Sequence, residues 1–297
     1  MSLRPSKRQI VGDQLFFTLP TIIFFTMAVL APFIYGLVLT FVDMPNVIAL
    51  TKPLKFVGFD NYAKALADKK FWDALLLTFK YVIASIFLVN LVGFGLASLV
   101  TSGLKGQNFF RTALFTPNLI GGLVLGYIWR FIFVSSLPAI GERLGIELLR
   151  LGWLGDRDLA FLAIVIVTVW QLSGYMMIIF IAGLIGIPND VVEAARIDGA
   201  TGLRRLVHIT IPLMVPAFVV TIFMTLKSSF MVYDINYSLT AGGPAGSTVM
   251  ASMHIVSKAF TQNKFSIGQA EAIFLFIIVA IVSGLQVYLG KKRELEA

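Results

Sequence analysis

The sequence predicts an all-α polytopic membrane protein with six transmembrane helices, and three observations carry that prediction. Of 297 residues, 58% are hydrophobic and only 13% charged, against about 25% charged in an ordinary soluble domain. The mean hydropathy is +0.87, and the apolar residues gather in runs of about 20 or more, the length that crosses a hydrocarbon core. Cys is absent, which excludes disulfide staples, thiolate metal sites and cysteine nucleophiles together.

Within a single transmembrane domain, 1–297, the runs place spans at about 15–41, 73–100, 112–134, 159–183, 209–234 and 268–289. The first holds Pro20 and Pro32, which kink or bound it. It is longer than a signal-peptide core of about 7–15 residues, so it reads as a retained anchor. The connection 43–72 follows. Its stretch Asn61 to Trp72 sets Tyr62, Leu66, Phe71 and Trp72 toward one side at helical spacing. That reads either as a helix lying in the membrane interface or as a loop packed on the spans.

The third span carries Gly122 and Gly126, a G-x-x-x-G that lets another helix approach closely. Trp129-Arg130 marks its far end, and a polar connection, 135–158, follows. The fourth span carries Trp170, Gln171 and Tyr175; the fifth ends in the loop SLTAGGPAGST.

An even number of spans puts both termini on one side. The segments on that side (1–14, 101–111, 185–208 and 290–297) carry Arg4, Lys7, Arg8, Lys105, Arg111, Arg196, Arg204, Arg205, Lys291, Lys292 and Arg293 at higher density than the opposite connections. Basic residues beside spans favour the cytoplasm, so both termini and the loop 185–208 are expected there. The net charge of +8 then belongs to loops facing an anionic leaflet rather than to a nucleic-acid surface.

Catalytic chemistry is missing from the sequence. There is no G-x-x-x-x-G-K-[ST], no H-E-x-x-H and no G-x-S-x-G, and the two histidines, His208 and His254, lack metal-ligand spacing. The reading is a non-catalytic chain that binds no cofactor and no metal. Charges within or beside the spans are Lys80, Arg130, Lys227, Asp234 and Glu271. Lys80 and Arg130 are long enough to snorkel to the headgroups. Lys227, Asp234, Asn236 and Glu271 are candidates to line an outward-facing cavity for a polyhydroxylated ligand, with Trp170, Gln171 and Tyr175 as hydrogen-bonding and aromatic partners.

One sizeable segment is neither an apolar run nor a short polar connection: Ile187 to Pro216, IPNDVVEAARIDGATGLRRLVHITIPLMVP. Asp190 reads as a helix N-cap with Glu193 three residues on, the capping-box spacing. Ala194 and Ala195 are small, and Asp198-Gly199 stops the helix and turns the chain. A second helical run, Leu203 to Ile209, leads to Pro212 and Pro216.

This segment resembles the EAA loop of binding-protein-dependent ABC importer permeases, through Glu193-Ala194-Ala195, Asp198-Gly199-Ala200, Leu206, Ile209, Ile211-Pro212 and Pro216. It departs where Leu206 replaces a common aromatic and Ile211 a usual leucine. Phe56-Val57-Gly58 with Asp60-Asn61-Tyr62, Ala182-Gly183-Leu184 before Ile187-Pro188, and Leu239 to Pro244 extend the resemblance to the carbohydrate (maltose-type) branch. Glu271 stands where a small residue is common.

The resemblance implies a type I ABC importer permease core with a cytoplasmic coupling helix in a prokaryotic inner membrane. Its expected partners are a second, non-identical permease, two ATP-binding cassette subunits that use ATP and Mg, and an extracytoplasmic solute-binding protein. Glu193, Ala194, Ala195, Asp198, Gly199 and Ala200 are then the ATPase-coupling residues. A sugar or oligosaccharide is the expected ligand, with glycerol 3-phosphate or a related polyol as the alternative on the same architecture. An ion-coupled secondary transporter is the competing class. It calls for internally repeated halves and midplane charges, which the sequence lacks.

Overall fold

The computed structural model describes residues 16, 18–46, 54–103 and 105–296. Expectations on residues 1–14 and on Ala297 lie outside the described residues. The chain groups into two compact units, one of residues 1–68 with 255–274 and one of 69–254 with 275–297, where the sequence predicts a single domain.

In the first unit, α1 runs Thr18–Leu39 and loosens into a π stretch at Thr26–Leu30, two residues before Pro32. The same relation recurs at Ile132–Ser136 before Pro138 and at Leu206–Thr210 before Pro212. Proline has no N–H and its ring crowds the carbonyl four residues back, so the preceding turn widens. Strands β1 (Val42–Asp43) and β2 (Lys55–Phe56) pair antiparallel, Val42 opposite Phe56.

The Phe56 to Tyr62 phrase has a structural reason. Gly58 turns the chain at φ +56°, and α2 (Asp60–Leu66) begins. Buried Asn61 donates to Thr40 O at 2.8 Å and Val42 O at 2.9 Å. Thr40 Oγ1 donates to Tyr62 OH at 2.8 Å, and the Tyr62 ring lies among Phe41, Phe59 and Phe274. The Asn61 to Trp72 stretch is therefore no single interfacial helix. It breaks at Ala67–Asp68, and Phe71 and Trp72 belong to the next helix.

The second unit is built on α3 (Lys69–Val100) packed along α6 (Arg157–Ile185). Asp156 caps α6, its Oδ1 accepting from the N–H groups of Asp158 at 2.9 Å and Leu159 at 3.0 Å. The interface closes because a glycine stands where a side chain would collide: a Cβ at Gly93 would meet Ser173 O and Met176 Cβ, each at 3.1 Å. On another side of α6, a Cβ at Gly174 would sit 1.8 Å from Leu114 O, in the segment that follows α3. Tyr81 OH and Thr168 Oγ1 lie 2.7 Å apart, both buried; in hydrocarbon such an interhelical bond contributes about 0.6–2 kcal/mol.

Between α3 and α6 the expected span 112–134 is divided. Helix α4 (Gln107–Phe115) tightens into a 3-10 turn at Thr116–Leu119, and Ile120 and Gly121 are extended. Helix α5 then runs Gly122–Leu144, carrying helix into what reads as the polar connection 135–158.

Beyond α6 come α7 (Asn189–Ile197), α8 (Gly202–Leu213) and α9 (Val215–Phe230). Helices α8 and α9 meet at 72°. Pro216 has no N–H to give Pro212 O, and Met214, fully buried, turns the corner at φ −89°, ψ 0°. The corner fits under α6 at Gly183, where a Cβ would meet Met214 Sδ at 2.9 Å and Ala217 Cβ at 3.0 Å. The expected span 209–234 is thus a bent pair, and its last residue starts another helix, α10 (Asp234–Thr240). Helix α11 (Phe265–Glu296) exceeds the expected 268–289 at both ends. Its second-unit part packs on α9, where Gln286 Nε2 donates to Val219 O at 3.1 Å.

Candidate functional site

A cavity of about 240 Å³ opens in the second unit. Its polar lining comes from Tyr81 on α3, Thr168 and Gln171 on α6, Ser228 on α9, Tyr233, and Asp234 on α10; Leu172, Met231, Val232 and Ile235 form apolar wall. The break before α5 creates it. Ile120, extended, presents a carbonyl that Gln171 Nε2 meets at 3.0 Å. Gly122 then begins α5 without a side chain, so α10 comes close enough that a Cβ at Gly122 would lie 2.8 Å from Asp234 Cβ. One turn on, a Cβ at Gly126 would lie 1.8 Å from Ser238 Oγ and 3.2 Å from Ile235 O. The G-x-x-x-G face thus receives the short helix that places Asp234.

Tyr233 stacks on Tyr237, ring centres 5.7 Å apart and planes 11° from parallel. Burial chiefly, then Tyr237 and the Asp234 charge, push the Tyr233 phenol above its ordinary value, so it stays a neutral donor. Hydroxyls, an amide, one carboxylate and apolar wall suit a ligand rich in hydroxyl groups.

Of the residues the sequence nominates, Gln171 and Asp234 line this cavity. Trp170 is 44% exposed and meets Trp129 edge-on at 5.5 Å. Tyr175, one turn beyond Gln171, packs on Phe115. Lys227 is exposed beside the lining residue Ser228 without lining it. Asn236 is directed elsewhere. Because 234–240 is helical rather than a span's end, two residues from Asp234 is the opposite face. There Asn236, fully buried, donates to Thr248 O at 2.8 Å and accepts from Thr240 Oγ1 at 3.0 Å. It braces the turn after α10. Glu271 is fully buried in the first unit and lines no part of the cavity. Tyr81, Thr168, Ser228 and Tyr233 escaped the sequence reading; the available signal was polar atoms recurring inside otherwise apolar runs.

The second candidate surface is the segment around α7. The helix begins two residues earlier than expected, with Pro188 at the N-cap and no side-chain cap. Asp190 is in the first turn, where its charge favours the helix dipole, and the Asp190–Glu193 capping box does not form. The far end matches the sequence reading. Gly199 takes φ +77°, its N–H bonds Arg196 O at 3.1 Å, and Ala200 N–H bonds Ala195 O at 2.8 Å. This is the Schellman arrangement.

Ala195 is buried, whereas Glu193, Ala194, Asp198 and Gly199 are exposed and Ala200 half-buried. Ile197 is 83% and Leu203 74% exposed. Two uncovered aliphatic side chains thus flank the turn in a polar segment, a candidate docking surface.

Residues 66–294 match the model of the binding-protein-dependent transport system inner membrane component family. The chain is 42% identical to a probable starch degradation products transport system permease protein of Thermoanaerobacterium thermosulfurigenes, over 94% of each chain. It is 35% identical to the multiple sugar-binding transport system permease protein of Streptococcus mutans, over 86% of this chain and 88% of that one. In fold it resembles a chain of a bacterial alginate ABC transporter in complex with an alginate pentasaccharide-bound periplasmic protein, with TM-score 0.80 at 19% identity and 97% of each chain covered.

Proposed function

The chain belongs to the family of binding-protein-dependent transport system inner membrane components, and from that premise we propose that it forms half of a sugar or oligosaccharide pathway worked by alternating access. It is a multi-pass permease subunit of an ABC importer, a transport component and not an enzyme. The observation that carries the substrate reading is the cavity beside the α5 break, with Tyr81, Thr168, Gln171, Ser228 and Tyr233 offering hydroxyls and an amide. Its volume of about 240 Å³ falls short of the roughly 300–1,000 Å³ of complete ligand sites. A second, non-identical permease supplies the facing wall in this reading. The relatives named for starch products and multiple sugars support the same substrate class.

In this proposal the termini and the loop 185–208 face the cytoplasm. Helix α7 docks on one of two ATP-binding cassette subunits, which bind and hydrolyse ATP with Mg. Ile197 and Leu203 enter apolar hollows of that subunit, and Glu193, Ala194, Ala195, Asp198, Gly199 and Ala200 hold the helix and its turn in register. A solute-binding protein delivers ligand from outside. Coupling energies are about 1–3 kcal/mol, while driving a gate from nearly shut to nearly open takes about 5.5 kcal/mol. Nucleotide and loaded binding protein therefore act together.

The test is to purify the complex through this chain, reconstitute it with the binding protein and measure uptake of labelled maltotriose. ATP-dependent uptake with a co-purified ATPase is expected. Uptake driven by an ion gradient without ATP would place the chain among secondary transporters instead.

A further inference from the structure

We propose that Asp234 is a charge filter in this cavity, setting it against anionic ligands such as sugar phosphates or uronates and in favour of neutral polyhydroxylated ones. The inference rests on the pathway reading above and settles the ligand's charge class. Asp234 is the sole charged residue among those lining the cavity; the remaining polar lining is hydroxyl and amide. An anion there meets one like charge and no cation to offset it. None of the ion pairs among the described residues involves Asp234. Lys227, near the end of α9, is exposed, lies outside the lining and forms no ion pair with Asp234.

The backbone that carries the carboxylate is also held in place. The absent side chain of Gly122 admits Asp234 to the start of α5, and Asp234 opens α10, whose Ser238 Oγ donates to Asp234 O at 2.6 Å. A neutral sugar finds acceptors in the carboxylate and donors in Tyr233 and Ser228. A phosphorylated polyol finds the same donors with its charge opposed.

Two like charges several Å apart at an effective dielectric near 20 differ in occupancy by about tenfold or more from the uncharged case. The absence of native Cys allows a direct reading of this field. Ser228→Cys places one thiol in the cavity of the assembled complex. Its reaction rates with a cationic and an anionic methanethiosulfonate reagent are measured and each is divided by the rate with free 2-mercaptoethanol. The normalised ratio should favour the cation by about tenfold, fall toward one in Asp234→Asn, and persist in Asp234→Glu. A ratio unchanged by Asp234→Asn overturns the filter, because it shows that no charge on Asp234 acts in the cavity. A second arm asks whether maltotriose protects the introduced thiol. Protection by maltotriose, with none by glycerol 3-phosphate until Asp234→Asn is introduced, is the expected result. Protection by glycerol 3-phosphate with Asp234 intact overturns the filter. Failure of any sugar to protect overturns the pathway reading, whatever the reagent ratio shows.

Discussion

Gly199 offers a measurement in which cause and effect separate cleanly. It holds φ +77° at the end of α7, and a Cβ added there meets nothing within 4 Å. An added methyl therefore costs backbone strain alone, with no steric collision to confuse the result. For alanine that strain is about 1–2 kcal/mol; for valine it reaches about 1–3 kcal/mol; asparagine, which tolerates the left-handed region, falls lowest. The strain acts on the two bonds that close the helix, Ala200 N–H to Ala195 O and Gly199 N–H to Arg196 O. It is small beside the packing of α3 on α6, so insertion and membrane level should be unchanged. It equals a typical coupling energy, so uptake and ATPase association should fall in the order Asn, Ala, Val, from nearly normal to roughly tenfold or more reduced. Both are read from one membrane preparation. Full uptake by Gly199→Val, at normal ATPase association, would show that the turn is a passive connector.

Other expectations follow from the same geometry. Gly126→Ala should displace α10 and depress uptake at a cost of about 1–3 kcal/mol, and Ser238→Gly in the same chain should restore much of it, since Ser238 supplies the nearest obstructing atoms. Gly174→Ala should reduce the yield of folded complex without any side-chain rescue, because the obstacle is the Leu114 carbonyl 1.8 Å away. Leu203→Cys, at a position 74% exposed, should react with an impermeant thiol reagent in inside-out vesicles and remain unlabelled in intact cells; labelling from outside would reverse the proposed orientation. Ile197→Asp should leave membrane levels normal and lower co-purified ATPase by roughly tenfold, as expected for charging an apolar anchor; unchanged co-purification would remove Ile197 from the docking surface.

The sequence made the apolar runs and the α7 turn legible because each rests on short-range rules: hydropathy over about 20 residues, and a Gly that alone accepts positive φ at low cost. The path of the backbone inside those runs was hidden. Pro117, Gly121 and Gly122 scarcely lower a hydropathy window, yet they divide the expected third span and open the cavity. Pro212 and Pro216 were visible, but the residues between them remain apolar through the corner, so the run reads as one straight helix. Asn236 misled for a related reason: its place in a span's end or in a helix of its own decides which way it points. The Phe56 to Tyr62 phrase was visible as a family likeness, while its work, clamping the carbonyls of Thr40 and Val42, depends on partners 21 and 19 residues away in sequence.

The corner at Met214 fixes how a push is delivered. Helix α8 is about 18 Å long and α9 about 24 Å at 1.5 Å per residue, and they stand at 72°. By the cosine of that angle, a displacement along α8 reaches α9 as only about a third axial motion, the remainder acting across its axis. With the thioether of Met214 seated beneath Gly183, a pair moving as one body under the proposed coupling would act as a bell crank, turning a thrust at one end of α8 into a sideways swing of the helix that carries Ser228.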